Sequence, residues 1–172
     1  SSLLGKTKLM KLFYFLDFSH VKKYGLPITG DTYYHLEHGP IPSAIKNLVD
    51  SVESEPDFAI LSDTISIITT EDSPMHKIKC RDGFLEKDKD YFSPIEFQTL
   101  EEVCGRFGDY TTKKIVDASH DESPWRRTQE LERIPYALAA DDTDCEISKE
   151  EIELLNQMVL PPPLLKLVKE LK

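Results

Sequence analysis

YYHLEHGPIPSAI, residues 33–45, is the stretch on which the reading of the fold turns. Two histidines three apart, His35 and His38, run into Gly39-Pro40, and Pro42 follows. Either the histidines are ligands or catalysts, or the stretch is a corner. Thr32 to Leu36 is aromatic-rich and has strand character. Side chains alternate along a strand, so His35 and His38 would point to opposite faces unless the strand ends between them. A helix would bring them together, but Gly39-Pro40 breaks helices. The spacing therefore favours a corner, with Gly39-Pro40 ending the strand and Pro42-Ser43 opening a helix to about Glu53.

Upstream, Lys6 to Tyr24 reads as a helix with Leu9, Leu12, Phe13 and Leu16 on one stripe, widened by Met10, Phe15 and Phe18. Gly25 stops it, and Thr29 to Asp31 makes a turn. Downstream, Ile60–Thr70 and Met75–Arg81 are rich in β-branched residues and read as an antiparallel hairpin, and RDGFLEKDKDYF, residues 81–92, as a solvated loop. Ser93-Pro94 starts a helix to about Arg106. A shorter helix is expected over Thr112–Ser119, a turn over Asp121–Trp125 and another helix over Arg126–Arg133. The segment ADDTDCE, residues 140–146, reads as an acidic linker. Ser148 and Glu151 fit a capping box for a helix to Met158. Pro161-Pro162-Pro163 breaks the chain before an amphipathic tail, Leu164 to Lys172. The expected fold is α+β: a mainly helical single domain with a small antiparallel sheet.

The 172 residues suffice for one domain with a real core. A net charge of -10 argues against a nucleic-acid footprint and suits a basic partner or plain solubility. Three widely spaced cysteines, Cys80, Cys104 and Cys145, form no CxxC pair; they read as reduced thiols of a cytoplasmic protein. The longest apolar run, LFYFL, is too short to span a membrane, and no signal peptide is legible.

SHDESPW, residues 119–125, sets His120, Asp121 and Glu122 beside the single tryptophan, Trp125. That grouping could hold a metal or move protons. It also fits a helix end, with His120 favoured by the C-terminal dipole and Trp125 as a core anchor. LLGKT, residues 3–7, lacks the glycine that a phosphate-binding loop needs. In the tail, Leu164, Leu167, Val168 and Leu171 make one stripe that either packs on its own domain or docks a partner.

In order, KLMKLFYFLDFSHVKKYGLPITGDTYYHLEHGPIPSAI matches the patterns KL.YF.D and G.PITGD.Y....HGP.P, and DASHDESPWR carries the His, Glu and Pro-Trp of H.E..PW with one residue fewer between Glu122 and Pro124. In this the chain resembles the Panacea antitoxin domain, the SocA-like family, over about Leu9 to Arg127. The resemblance implies an antitoxin that binds a cognate toxin directly and occludes its active surface. One branch of the family also hands its toxin to a AAA+ protease. It implies no cofactor, no catalytic residue and neither nucleic acid nor membrane as partner. Tyr14, Asp17, Gly30, Asp31, Tyr33, His38, Gly39, Pro40, Pro42, His120, Pro124 and Trp125 then become a scaffold signature. Residues 1–138 would form the Panacea domain, and 139–172 a linker, helix and tail packed on it. His38 is expected to hydrogen-bond inward, toward Asp121 or Trp125. Two rival readings are a metal-dependent hydrolase using His35, His38, His120 and Asp121, and a winged-helix regulator. The regulator's hairpin tip would be TTEDSP, which is acidic where DNA contact needs Lys or Arg.

Overall fold

The computed structural model describes residues 4–158; the tail stripe Leu164, Leu167, Val168 and Leu171 lies outside them. Helix α1, Lys6–Tyr24, is the centre of the molecule. Its buried positions are Lys8, Met10, Lys11, Tyr14–Phe18 and His20–Lys22, while Leu9, Leu12 and Phe13 are only half-buried. The stripe thus lies a step round from the one expected, because four of its buried positions, Lys8, Lys11, Asp17 and Lys22, are charged. Gly25 ends the helix at φ 82°, its N–H donating to the Val21 carbonyl. A Cβ there would come within 2.4 Å of Leu155 Cδ1, so glycine also lets the helix that carries Leu155 approach.

A hairpin of β1 (Tyr33–Leu36) and β2 (Gly39–Pro42) leads straight into α2 (Ser43–Ser54). The expectation that Gly39-Pro40 ends the strand is corrected: these residues begin a second one. Gly39, at φ 100°, supplies the turn conformation that side chains resist. Pro40 and Pro42 are tolerated because β2 lies at the edge of the sheet order β2-β1-β5.

The strands β3 (Ile65–Thr70) and β4 (Ser73–Cys80) form a second, separate hairpin. β3 begins five residues later than its β-branched run, since residues 60–64 turn first. Helices α3 (Pro94–Phe107) and α4 (Thr112–His120) carry side-chain caps: Ser93 accepts from Glu96 N–H and Thr111 from Lys114 N–H. The loop before α3 contains a 3₁₀ segment, Glu86–Tyr91, with the Asp88 carboxylate accepting from Leu85 N–H at 2.8 Å.

The helix expected over Arg126–Arg133 does not form. A single turn, α5 (Ser123–Arg126), is followed by bends and then β5 (Arg133–Ile134) against β1. Leu131 takes φ 68°, and main-chain bonds run from Leu131 N–H to His35 O and from His35 N–H to Glu132 O, both 2.8 Å. Pairing with a strand about a hundred residues earlier overrides local helix preference here. The acidic segment expected as a linker overlaps a second 3₁₀ segment, Tyr136–Asp141, with buried Ala137 and Ala139. Helix α6, Lys149–Met158, has the capping box: Ser148 Oγ accepts from Glu151 N–H, and the Glu151 carboxylate accepts from Ser148 N–H.

Two apolar clusters flank α1. One joins Tyr14, Phe15 and Phe18 to Val103, Phe107, Ile115, Tyr33, Ile134 and Ile152. Phe15 stacks on Phe107 at 4.1 Å and Tyr14 on Phe18 at 4.5 Å. Each such buried ring is worth about 1.5–3 kcal/mol. The other cluster joins Met10 to Val49 and Val52 of α2 and to Ile65 and Ile78 of the second hairpin. The architecture is α+β and mainly helical, with three-stranded and two-stranded antiparallel sheets.

Candidate functional site: a motif-built interior

Asp17 is completely buried at the middle of α1. Its Oδ1 accepts from the backbone N–H groups of Ile28 (2.8 Å) and Thr29 (2.7 Å). Its Oδ2 accepts from the hydroxyls of Thr29 and Tyr33, the latter at 2.7 Å. One carboxylate thus holds the loop after α1 and the start of β1. Burial pushes its pKa up, against the pull of those donors.

Asp31 acts similarly one step on. Its Oδ1 accepts from Thr32 N–H and from Ala44 N–H (3.0 Å), and its Oδ2 from Ile45 N–H (2.8 Å). It therefore satisfies the open N-terminus of α2 from twelve residues before the helix starts, a role the sequence seemed to give to Pro42-Ser43. Tyr136 reaches the same loop, its hydroxyl donating to Asp31 O at 2.5 Å.

The histidine corner closes over Trp125. His35 and His120 both stack on the indole, with centroids 4.4 and 3.8 Å away and planes within 17°. His35 Nδ1 pairs with Thr128 Oγ1 at 2.9 Å, and Trp125 Nε1 donates to Leu36 O at 3.4 Å. The inward bond expected of His38 is not made: His38 sits exposed in the turn, and His35 and His120 do the packing. Beneath the turn, Lys11 is completely buried and donates to Pro40 O at 2.8 Å. Burial pulls its pKa down to about 7. The buried His120 Nε2 has no hydrogen-bond partner, and its pKa is lowered by burial and then by Lys11. Gly39 is the cover: a Cβ there would lie 2.7 Å from Ser119 Oγ and 2.8 Å from Lys11 Cε. Pro124 and Ser123, also buried, carry the indole into place.

Lys22 anchors a third knot. Its ammonium is 2.6 Å from Glu122, 2.9 Å from Asp144 and 3.2 Å from Asp142, and its side chain is 6% exposed. Burial alone would lower the lysine pKa, but the three carboxylates hold it above its ordinary value. Glu122 is pushed up by burial, with Lys22 opposing. Asp142 also accepts from Ser123 N–H at 2.9 Å and so fixes the start of α5. Among the described residues, the grouping of acidic or histidine side chains close enough to share a metal ion is this one, and Lys22 is the cation in it. His35, His38, His120 and Asp121 do not form such a grouping.

The three motif segments therefore meet: α1 supplies Lys11, Tyr14, Asp17 and Lys22, the corner supplies Asp31, Tyr33, His35 and Gly39, and the His–Trp segment supplies His120, Glu122 and Trp125. Tyr14 joins two of them directly, with its hydroxyl 3.4 Å from Glu122. Residues 9–126 match the family described as "Antitoxin SocA-like, Panacea domain". The chain is a Panacea-domain protein. Neither the curated proteins nor the solved structures compared with it match. Sequence reasoning missed Lys11 and Lys22 within the matched residues and Asp142 beyond them. The one signal available for the two lysines was their place at helical spacing with Tyr14, Phe15 and Phe18, on the most aromatic side of α1. No helix of the described residues is long and apolar enough to cross a membrane.

Proposed function

We propose that this Panacea domain is an antitoxin that neutralises a cognate toxin by direct protein–protein contact, covering the toxin's active surface. The observation that carries the reading is the family match across residues 9–126. The chemistry of the motif residues agrees with it. Asp17, Asp31, Lys11 and Lys22 spend their polar atoms on the protein's own loops and helix ends. Residues occupied in this way serve as scaffold rather than as substrate contacts, and we assign that role to the twelve signature residues except the exposed His38. The surface left for a partner is acidic, in keeping with a net charge of -10, and would speed capture of a basic toxin at low salt. Delivery of that toxin to a AAA+ protease is a further role open to such a complex.

Co-expression with the product of the adjacent gene tests this. A stoichiometric complex that weakens as salt rises, together with relief of growth arrest, supports toxin binding. Growth arrest unrelieved by co-expression, with no complex formed, refutes it.

A further inference from the structure

We propose that the open edge of β3 is a docking edge for an extended segment of a protein partner, one carrying Lys or Arg at its two ends. This rests on the binding reading above and deepens it to a surface and a chemistry.

The two edges of the β3–β4 hairpin are treated differently. Along β4 the outer edge is covered: Ile78 N–H donates to Leu4 O at 2.7 Å, and Gly5 bridges Lys77. Along β3, no strand pairs on the outer edge among the described residues. The register says which groups face outward there. Antiparallel pairs alternate between bonded and non-bonded. Arg81 N–H donates to Thr64 O, and Ile78 N–H points away from β3, so Ile67, opposite Ile78, is a non-bonded position. The N–H and C=O of Ile67 therefore point out from the edge, with the C=O of Ile65 alongside; Ile65 N–H is used internally, by Leu61 O. Natural proteins usually blunt such an edge with proline, inward charge or a cover. The sequence ISIITT has no proline or charge, and Ile68 is exposed.

The acids at the ends decide between occupants. A second copy pairing antiparallel about Ile67 would bring Asp63, in the turn before β3, towards Glu71 of its partner, in the turn after β3, at both ends of the new ladder. Like charges brought together there repel, as they do when opposed within a sheet. Asp63, Glu71 and Asp72 thus oppose self-pairing, and they attract a strand with basic ends. Lys77 and Lys79 share the hairpin's outer face with Ile68 but stand on β4. That places them about 9–10 Å from an added strand, two strand spacings away. Main-chain bonds would supply affinity, and the flanking charges would set register and choice of partner.

Self-association tests the edge without any partner. Asp63→Lys turns both repulsive pairs of the symmetric arrangement into attractive ones. By sedimentation, the wild type is expected to be monomeric, D63K dimeric, and D63K/I67P monomeric again. Proline at 67 removes only an outward N–H and leaves the ladder to β4 intact. Circular dichroism and melting of I67P check that the hairpin persists; if it does not, Thr69→Pro, one position along the edge, replaces it. A monomeric D63K overturns the proposal. So does a wild-type dimer broken by I67P, which would make a second copy the occupant. Affinity for the adjacent gene's product is the second arm. About a tenfold or greater loss is expected in I67P, from one or two lost hydrogen bonds and disturbed neighbours. Unchanged affinity in I67P overturns the edge while leaving the antitoxin reading standing. The reverse, a D63K dimer with no complex for the wild type, keeps the edge and sinks the antitoxin reading.

Discussion

Removing the Asp17 carboxylate should cost far more than removing its charge. In Asp17→Ala, the Tyr33 hydroxyl, on a residue 1% exposed, loses its acceptor inside the aromatic cluster. A buried donor left unpaired costs about 1–3 kcal/mol. The Ile28 and Thr29 N–H groups lose a charged acceptor as well, but their half-exposed loop admits water, so about 1 kcal/mol each is the appropriate scale. The total is about 3–5 kcal/mol, a large part of the 5–15 kcal/mol by which domains are usually stable. Asp17→Asn differs. Its carbonyl keeps both backbone donors, and its amide donates to the Thr29 and Tyr33 oxygens, so about 1 kcal/mol or less should be lost. Urea unfolding followed by the fluorescence of Trp125, the only tryptophan, reads both. With a slope near 2 kcal/mol per molar, the Ala midpoint should fall by about 2 M and the Asn midpoint by about 0.5 M or less. The sign with pH is also set. The folded-state pKa of Asp17 is raised above 3.8, so the wild type should lose stability relative to Asp17→Asn as pH rises from about 3.8 through that raised value. An Ala variant within 1 kcal/mol of wild type would refute the view that this carboxylate organises the corner.

Other substitutions probe the neighbouring knots. Gly39→Ala must place a Cβ at positive φ and against Ser119 and Lys11, which should cost about 2–4 kcal/mol in the same urea assay. Lys11 binds its proton less well folded, at about 7, than unfolded, at 10.5, so wild-type stability should rise between pH 7 and 9. Lys11→Met should flatten that rise in midpoints measured across the window. Lys22→Ala leaves Glu122, Asp142 and Asp144 without their cation and should cost about 2–4 kcal/mol, the exposed Asp144 moderating the loss. Millimolar calcium or magnesium should recover part of the melting temperature in that variant and leave the wild type unmoved.

Where sequence pattern and tertiary demand agreed, the elements were legible. The bounds of α1 follow from its length, its apolar content and Gly25. The capped starts of α3, α4 and α6 follow from Ser93, Thr111 and Ser148. What stayed hidden was long-range. β5 is two residues long, and only the distant Tyr33 and Tyr34 make it a strand. The cap of α2 lies twelve residues before the helix, so no local rule finds Asp31. The buried partners of Lys11 and Lys22 are a carbonyl and three carboxylates from remote segments, and charged side chains in a sequence read first as surface. Strand alternation does not settle the two histidines, because β1 ends at Leu36 and His38 lies in the turn after it. Which of them turned inward depended on Trp125, ninety residues away from His35.

The pairing of β1 with β5 also sets a schedule for the newborn chain. Tyr33 and its partner Ile134 are separated by 134 − 33 = 101 residues. At roughly 5–20 residues per second, a ribosome needs about 5–20 s between making the two. During that interval the corner can form its hairpin and receive its carboxylate anchor from α1, Asp17, but one side of β1 and the slot for Trp125 stay unfilled. Completion waits for nearly the whole domain to be translated. Under the antitoxin function proposed above, finished copies of this protein would have to precede its toxin.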